Sequence, residues 1–136
     1  MSQGYIYRKK SEAPTVPCLC GESTRIVTAE DTPIANLHVV HITDSIKHYH
    51  KRCSEYYYIL EGCGKMELGD DLVDLEPGVT ILIEPGTPHR AYGDITTLVI
   101  GIPSWQPDDE YFPADVDQAE EDAGWVAPNA AAAVSA

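Results

Sequence analysis

Two histidines and a glutamate lie close together in IKHYHKRCSEYYYILEG, residues 46–62, among mainly aromatic and aliphatic neighbours. Because alternate side chains of a β-strand share one face, His48 and His50 are expected to point in the same direction. A turn over residues 51–54 would fold Glu55 back beside the two imidazoles. Such a group is costly to bury unless a cation lies between its members, and the usual cation is a divalent metal. The segment therefore predicts a metal site, and a solvent-facing histidine pair is the alternative.

A second segment, LEPGVTILIEPGTPHRAYGD, residues 75–94, places a strand between two Pro-Gly turns and contains a third histidine, His89. Read together, the two segments resemble the two motifs of the cupin superfamily, whose members form a double-stranded β-helix or jelly roll. The matching pattern is His48-x-His50, four residues, Glu55, six residues, Gly62, 15 residues, Gly78, then Gly86-Thr87-Pro88-His89. The positions that depart from the family pattern are not metal ligands, and they are Ile42, Glu84 and Gly93.

The resemblance implies a metal-ligand set of three histidines and one glutamate inside the barrel: His48, His50, Glu55 and His89. This set would leave one or two coordination positions for water, dioxygen or substrate. Nitrogen and oxygen ligands with open positions suit Fe2+, Mn2+, Ni2+, Co2+ or Zn2+, and the sequence does not choose among these divalent metals. Because an imidazole must be neutral to bind a metal, occupancy should fall as the pH drops below about 6.

Short strands are the elements that must position these residues. Between residues 34 and 105, β-branched and aromatic runs such as SEYYYIL and VTILIE alternate with turn sequences such as EGCG and LGDD. Sustained apolar periodicity of about 3.6 residues is absent from the sequence, which argues against α/β and helical-bundle folds. We therefore predict an all-β, single-domain cupin jelly roll, a double-stranded β-helix barrel, over residues 34–105.

The flanking segments differ from this core in composition. Residues 1–33 are polar and weakly patterned, which predicts an N-terminal arm with one or two edge strands, such as STRIVTA. Residues 106–136 form an acidic, Ala-rich C-terminal extension that we expect to be partly disordered, because it offers little apolar surface to offset the entropy of ordering.

Strand alternation places several side chains inside the barrel. Tyr57 is expected beside Glu55, and Met66 also faces inward, so Tyr57 and Met66 are the candidate substrate-binding residues. Glu55 or Tyr57 is the candidate proton carrier. Arg90 follows His89 and should point away from the metal, and no other basic residue has an evident inward position. A phosphosugar substrate, which would require Arg or Lys near the metal, is therefore disfavoured, although the loop lysines Lys47 and Lys51 keep this class open.

Other aromatic and histidine side chains have less direct roles. Tyr56 and Tyr58 lie on the face opposite Tyr57, where packing in the core or in a dimer interface is expected. His38 and His41 have opposite parity on one predicted strand, so at most one of them can face the barrel interior. For both histidines a structural role is favoured over direct metal ligation.

Length and charge limit the classes of function. The 136 residues suffice for one domain with a sizeable core. The formal net charge of -13, with the nine Lys and Arg scattered, argues against binding to nucleic acid or to an anionic membrane surface. The sequence shows no secretory signal, so we expect a cytoplasmic protein with reduced cysteines. These are Cys18, Cys20, Cys53 and Cys63, whose spacing is unlike that of a zinc knuckle.

Three functions fit this sequence. The first is an Fe(II)-type dioxygenase, an oxidoreductase that acts on an enolisable or aromatic small molecule. The second is a non-redox, metal-dependent isomerase, epimerase or lyase, and the third is a cupin that binds a small ligand without catalysis. We also expect a homodimer, in which the N-terminal arm YIYRKK adds or exchanges an edge strand with a second copy.

Overall fold

The computed structural model describes residues 4–113. In this part of the chain seven strands form one antiparallel sheet, and two short 3-10 helices flank it. The strands are β1 (Thr15–Cys18), β2 (Gly21–Val27), β3 (Asn36–Asp44), β4 (Ser54–Leu68), β5 (Asp71–Leu75), β6 (Thr80–Ile83) and β7 (His89–Ile102). The 3-10 helices are Lys10–Glu12 and Pro107–Asp109. Most of the predicted C-terminal extension, residues 114–136, lies outside the described residues.

The two long strands form the centre of the sheet, whose order is β1-β2-β3-β7-β4-β5. β4 pairs with β7 along its whole length. On its other edge, β4 pairs with β6 through residues 55–58 and with β5 through residues 64–68. This wholly antiparallel arrangement confirms the predicted all-β jelly roll.

Alternating burial along the strands creates one apolar interior. Tyr57, Ile59 and Met66 on β4 are each 1–2% exposed, and Met66 shares the inner face with the other two because the β4–β7 pairing has an irregularity just after Ile59. Tyr56 and Tyr58 lie on the outer face and are 42% and 47% exposed. The remaining buried apolar residues of the same cluster are Val40, Ile42, Leu75, Ile83, Ala91, Ile95 and Val99.

Two glycines of the sequence motifs have conformations that other residues adopt only with strain. Gly62 has a φ of +87° and lies just after an irregularity in the β4–β7 pairing, where a Cβ atom would collide with the carbonyl oxygen of Asp94. Gly86 has a φ of +88°, and its N–H donates a 2.7 Å hydrogen bond to the carbonyl oxygen of His50. The second Pro-Gly turn is thereby joined to the segment that contains the histidine pair.

The N-terminal third contributes a hairpin to the sheet. β2 lies between β1 and β3 and pairs with both strands. Before this hairpin, the Arg8 guanidinium forms two 2.8 Å hydrogen bonds to the Asp31 carboxylate, while Tyr5 and Tyr7 are exposed. Because β2 pairs with β1 and β3, its inner face forms part of the barrel wall.

Candidate metal centre and the surrounding cavity

The three predicted histidines lie together at one end of the barrel. His48 and His89 form a two-way backbone bridge, with N···O distances of 3.2 and 2.9 Å, and His50 follows two residues after His48. The three rings have centroid separations of 4.5–5.5 Å. All three side chains are buried, and one ring nitrogen from each lies within 4.8 Å of the other two. This is a separation that a single ion can bridge.

Hydrogen bonds to backbone carbonyl groups fix which nitrogen of each imidazole points inward. Nδ1 of His48 contacts the Ile46 carbonyl at 2.7 Å, Nδ1 of His50 contacts the Asp109 carbonyl at 2.7 Å, and Nδ1 of His89 contacts the Thr87 carbonyl at 2.9 Å. Because a carbonyl oxygen only accepts, each Nδ1 must hold the proton that it donates. In the neutral form of each ring, Nε2 is left with a free lone pair, as metal-binding histidines require.

Glu55 on β4 lies beside the three histidines and contacts two of them. Its Oε1 lies 3.3 Å from Nε2 of His50 and 3.5 Å from Nε2 of His89. All three of these atoms are buried without a hydrogen-bonding partner. A carboxylate oxygen facing two nitrogen lone pairs is stable only if a proton or a metal cation lies between them. The donor set therefore fits a divalent metal ion.

Burial and close contact between imidazole and carboxylate groups shift the pKa values of His48, His50 and Glu55. Burial lowers the pKa of His50, but the Glu55 carboxylate outweighs this effect and raises the pKa to about 9. For Glu55, burial raises the pKa, whereas the contacts with His50 and His89 lower it, and the net shift is downward. Burial, followed by the other two imidazoles, holds the pKa of His48 well below its ordinary value.

The turn between His50 and Glu55 is fixed from a distant part of the chain. The buried Asp109 carboxylate accepts hydrogen bonds from the backbone N–H groups of residues 51–53, at 2.9–3.2 Å. The carbonyl group of Asp109 accepts the Nδ1–H of His50. This one residue therefore orients a histidine and also shapes the turn that returns the chain to Glu55.

A cavity extends from His48, His50 and Glu55 toward β2 and β3. Tyr57 lines it, whereas Met66 is packed in the apolar cluster and is not among the lining residues. His38 faces the cavity and His41 lies outside, where it contacts Asp94 at 2.7 Å, so one of this pair is internal, as predicted. The lining residues are Cys18, Cys20, Ser23, Arg25, His38, Val40, His48, His50, Glu55, Tyr57, Val99, Trp105 and Glu110.

Arg25 corrects the expectation that no basic residue faces inward. Its side chain lines the cavity, with Cζ 4.8 Å from the centre of the Trp105 ring. Its cross-strand neighbour is His38, whose pKa is lowered to about 4 by burial and by the charge of Arg25. The polar, weakly patterned composition of residues 1–33 predicts an arm, and it does not indicate that Arg25 lies on a strand that pairs with β3. Arg90 does point outward, toward Asp44 and Glu67.

Glu110 is a second cavity residue that sequence reasoning missed. It lies in the segment assigned to the acidic extension, and the indole N–H of Trp105 donates a 3.1 Å hydrogen bond to its Oε2. Burial raises the pKa of Glu110 to about 7, with a smaller opposing effect from His50. Only its position beside Trp105 and Tyr111 in an otherwise polar stretch could have indicated that this glutamate is held against the barrel.

The four cysteines are free thiols. Cys18 and Cys20 line the cavity at the β1–β2 turn, and Cys20 Sγ lies 4.0 Å from the hydroxyl oxygen of Tyr57. A hydrogen bond from the Cys20 thiol lowers the pKa of Cys18 to about 6, whereas the pKa of Cys20 is raised. Cys53 is buried and Cys63 is exposed.

Comparison with known proteins identifies the family. Residues 37–96 match the family model of the cupin domain, and this segment includes the three histidines and Glu55. The chain therefore contains a cupin domain within residues 37–96. Within residues 4–113 of this cupin, no helix is both long enough and apolar enough to cross a membrane.

Individual proteins resemble this cupin to different extents. An uncharacterized protein of Methanocaldococcus jannaschii, MJ1618, is 44% identical over 46 residues, which span 34% of this chain and 37% of that protein. A crystal structure of a protein from Planctomyces limnophilus is 28% identical, with a TM-score of 0.76, and the match covers 81% of this chain and 98% of that one. Streptomyces Pac13, described as a nucleoside dehydratase, is 20% identical, with a TM-score of 0.69 and coverages of 78% and 89%.

Proposed function

We propose that this cupin binds one divalent transition metal and is a non-redox enzyme, a lyase or isomerase, that moves a proton on a small molecule. The proposed ligands are the three imidazoles of His48, His50 and His89, with Glu55 as the fourth. The observation that supports proton transfer is Glu110, a carboxyl group with a pKa raised to about 7 in the same cavity as His48 and His50. A bound divalent metal would supply Lewis acidity toward a hydroxyl or carbonyl oxygen of the substrate.

Glu110 suits proton transfer better than the two residues that the sequence favoured. A general acid or base is most effective when its pKa is close to the working pH, and the pKa of Glu110 meets this condition. Burial raises the pKa of Tyr57 well above its ordinary value, so its hydroxyl keeps its proton at neutral pH and can serve as a hydrogen-bond donor. The pKa of Glu55 is shifted downward, which makes it a persistent carboxylate beside the proposed metal.

The fold of Pac13 adds support of a general kind. Dehydration removes a proton and a hydroxyl group, and it is therefore one of the reactions in the proposed class. A dehydratase on the same fold indicates that this barrel can house such chemistry, whereas the substrate must be established for this chain itself.

The proposal can be tested by proton exchange. Full-length protein loaded with Mn2+, Zn2+ or Co2+ is incubated in D2O with small hydroxy and keto acids and sugars, and deuterium incorporation is followed by NMR. We expect metal-dependent exchange with at least one compound. For that compound, Glu110→Gln should lower the rate about 100-fold or more, while the protein retains its metal. Full metal occupancy without exchange for any compound would instead indicate a ligand-binding cupin.

An Fe(II)-type dioxygenase is the second candidate. It is supported by the three-histidine donor set, which also suits Fe2+, and by the apolar cavity walls that Val40 and Val99 provide. Oxygen-electrode measurements on anaerobically Fe(II)-loaded protein, with diketone, catechol and flavonol-like compounds, distinguish the two candidates. Substrate-dependent consumption of dioxygen would replace the proton-transfer proposal, and its absence with every compound would remove the dioxygenase.

We further propose that the protein is a cytoplasmic homodimer. Tyr5, Ile6 and Tyr7 of the N-terminal arm are 66%, 49% and 79% exposed, and a second copy could cover them. Light scattering at micromolar concentration should give twice the chain mass, and deletion of residues 1–7 should lower it to the mass of one chain. A monomer mass for the full-length chain would reject the dimer.

A further inference from the structure

The part of the cavity lined by β2 and β3 contains an arginine that has no carboxylate partner among the described residues. In residues 4–113, Arg25 forms no ion pair with an aspartate or glutamate, whereas Arg8, Arg52 and Arg90 each pair with at least one carboxylate. The Arg25 guanidinium lies over the Trp105 ring, with Cζ 4.8 Å from the ring centre. An inward guanidinium without a carboxylate partner in the protein can bind an anionic ligand.

Two more polar groups on the same wall lack partners. Ser23 Oγ, Arg25 Nε and His38 Nε2 are buried without a hydrogen-bonding partner in the described part of the chain, and all three residues line the cavity. Their positions follow from the register of β2 and β3, since Arg25 pairs with His38 while Ser23 is the adjacent inward residue of β2. Buried polar groups normally have partners, so three such groups in one cavity indicate a site for a polar ligand.

The chemistry of these groups selects the ligand. Arg25 supplies donors in a fork that matches a carboxylate, and Ser23 supplies a hydroxyl that can donate as well. His38 adds no competing positive charge at neutral pH, because its pKa is lowered to about 4. Two acidic groups line the same cavity: Glu110, whose pKa is raised to about 7, and Cys18, whose pKa is lowered to about 6, first by a hydrogen bond from a neighbouring thiol and in part by the charge of Arg25. One guanidinium and one hydroxyl in a small cavity fit a carboxylate better than a phosphate, which needs more donors.

We propose that Ser23, Arg25 and His38 form a carboxylate-binding subsite of the active cavity. The substrate would then be a small hydroxy or keto acid, with its carboxylate on Arg25 and its hydroxyl or carbonyl group directed to the histidines. This inference rests on the proposed function, because it assumes that the reaction takes place at the histidine end.

Isothermal titration calorimetry on the full-length protein tests the subsite. The probes are lactate and its neutral analogue lactamide, each with and without Mn2+. We expect wild-type protein to bind lactate about 10- to 100-fold more tightly than lactamide, because the Arg25 contact is a charge-assisted hydrogen bond. This preference should persist without Mn2+. Equal affinity for the two probes, or tight binding of inorganic phosphate but not of lactate, would overturn the proposal.

Substitutions of Arg25 and Ser23 test whether these residues cause the preference for lactate. Arg25→Met should abolish the preference for lactate, and Arg90→Met, which changes the outward arginine, should leave it intact. If Arg25→Met unfolds the protein, Ser23→Ala provides the test, since it removes a buried hydroxyl without a protein partner and should weaken lactate binding several-fold. Lactate binding that is unchanged in Ser23→Ala and Arg25→Met would reject the subsite. If the wild-type protein does not bind Mn2+, the metal proposal is rejected, whereas the preference for lactate over lactamide remains a valid test of the subsite.

Discussion

The two walls of the cavity differ in how the chain builds them. The metal-side wall consists of His48, His50 and Glu55, which form the proposed metal site together with His89, and all four lie within the segment that matches the cupin model. The other wall, here called the recognition wall, consists of Ser23, Arg25, His38, Trp105 and Glu110. Of these, His38 alone lies within residues 37–96. The shared segment therefore supplies the proposed metal centre, and the flanking segments supply the groups that would select the substrate.

This difference makes the two walls separable by mutation. Changes on the metal-side wall should alter metal affinity, whereas changes on the recognition wall should alter ligand selectivity while the metal remains bound. A substitution that affected both properties equally would show that the walls are coupled.

The largest effect is expected for His89→Ala. Removing one of three converging imidazoles should weaken the binding of Mn2+ or Zn2+ by at least about 100-fold, since disturbing even the partners of a ligand costs 10–100-fold. Calorimetric titration and elemental analysis measure this loss. His41→Ala is the matched control, because His41 is an exposed histidine that faces away from the cavity. Stoichiometric metal in His89→Ala would reject the metal-side assignment.

Asp109→Ala tests the support of the metal-side wall from the C-terminal segment. The substitution leaves three backbone N–H groups at residues 51–53 without their acceptor, and we expect a loss of about 3 kcal/mol in the free energy of unfolding. Guanidinium unfolding measures it. Asp108→Ala is the control, since that carboxylate is exposed and pairs with Arg52, which is also exposed, and little change is expected. Equal stability of the two variants would contradict the role of Asp109.

The metal-side wall was largely predictable from the sequence because its geometry depends on local spacing. Strand parity places His48 and His50 on one face, and the Pro-Gly turn before His89 fixes where the third imidazole enters. Local spacing does not predict the recognition wall. Arg25 faces inward only because β2 pairs with β3, and Glu110 reaches the cavity only because Asp109 docks on the turn at residues 51–53. Both depend on contacts between distant segments.

His38 on the recognition wall should make the free energy of unfolding depend on pH. The pKa of its imidazole is about 4 in the folded protein and about 6.5 when unfolded. Below pH 6.5 the unfolded chain therefore binds a proton that the folded chain does not, so the free energy of unfolding falls as the pH decreases toward 4. At pH 5 this amounts to about 2 kcal/mol relative to pH 7.5.

His38→Gln removes this contribution and leaves the other titrating groups in place. Guanidinium unfolding of both proteins at pH 7.5, 6 and 5 should show a shallower loss of stability in the variant. Parallel curves for the two proteins would mean that the His38 imidazole is protonated as easily in the folded protein as in water.

The smallest effect is expected for Arg90→Ala. Arg90 and Arg25 are both half-buried, but Arg90 faces outward and contacts Asp44 and Glu67 in a partly solvated ion-pair group. Such pairs typically stabilise a protein by about 0–1 kcal/mol, and salt weakens them. In a double-mutant cycle with Glu67→Ala we therefore expect a coupling of about 0.5 kcal/mol that decreases in 1 M NaCl. A coupling that persisted in high salt would mean that this pair is shielded from solvent, and Arg90 would then no longer serve as the solvated counterpart of Arg25.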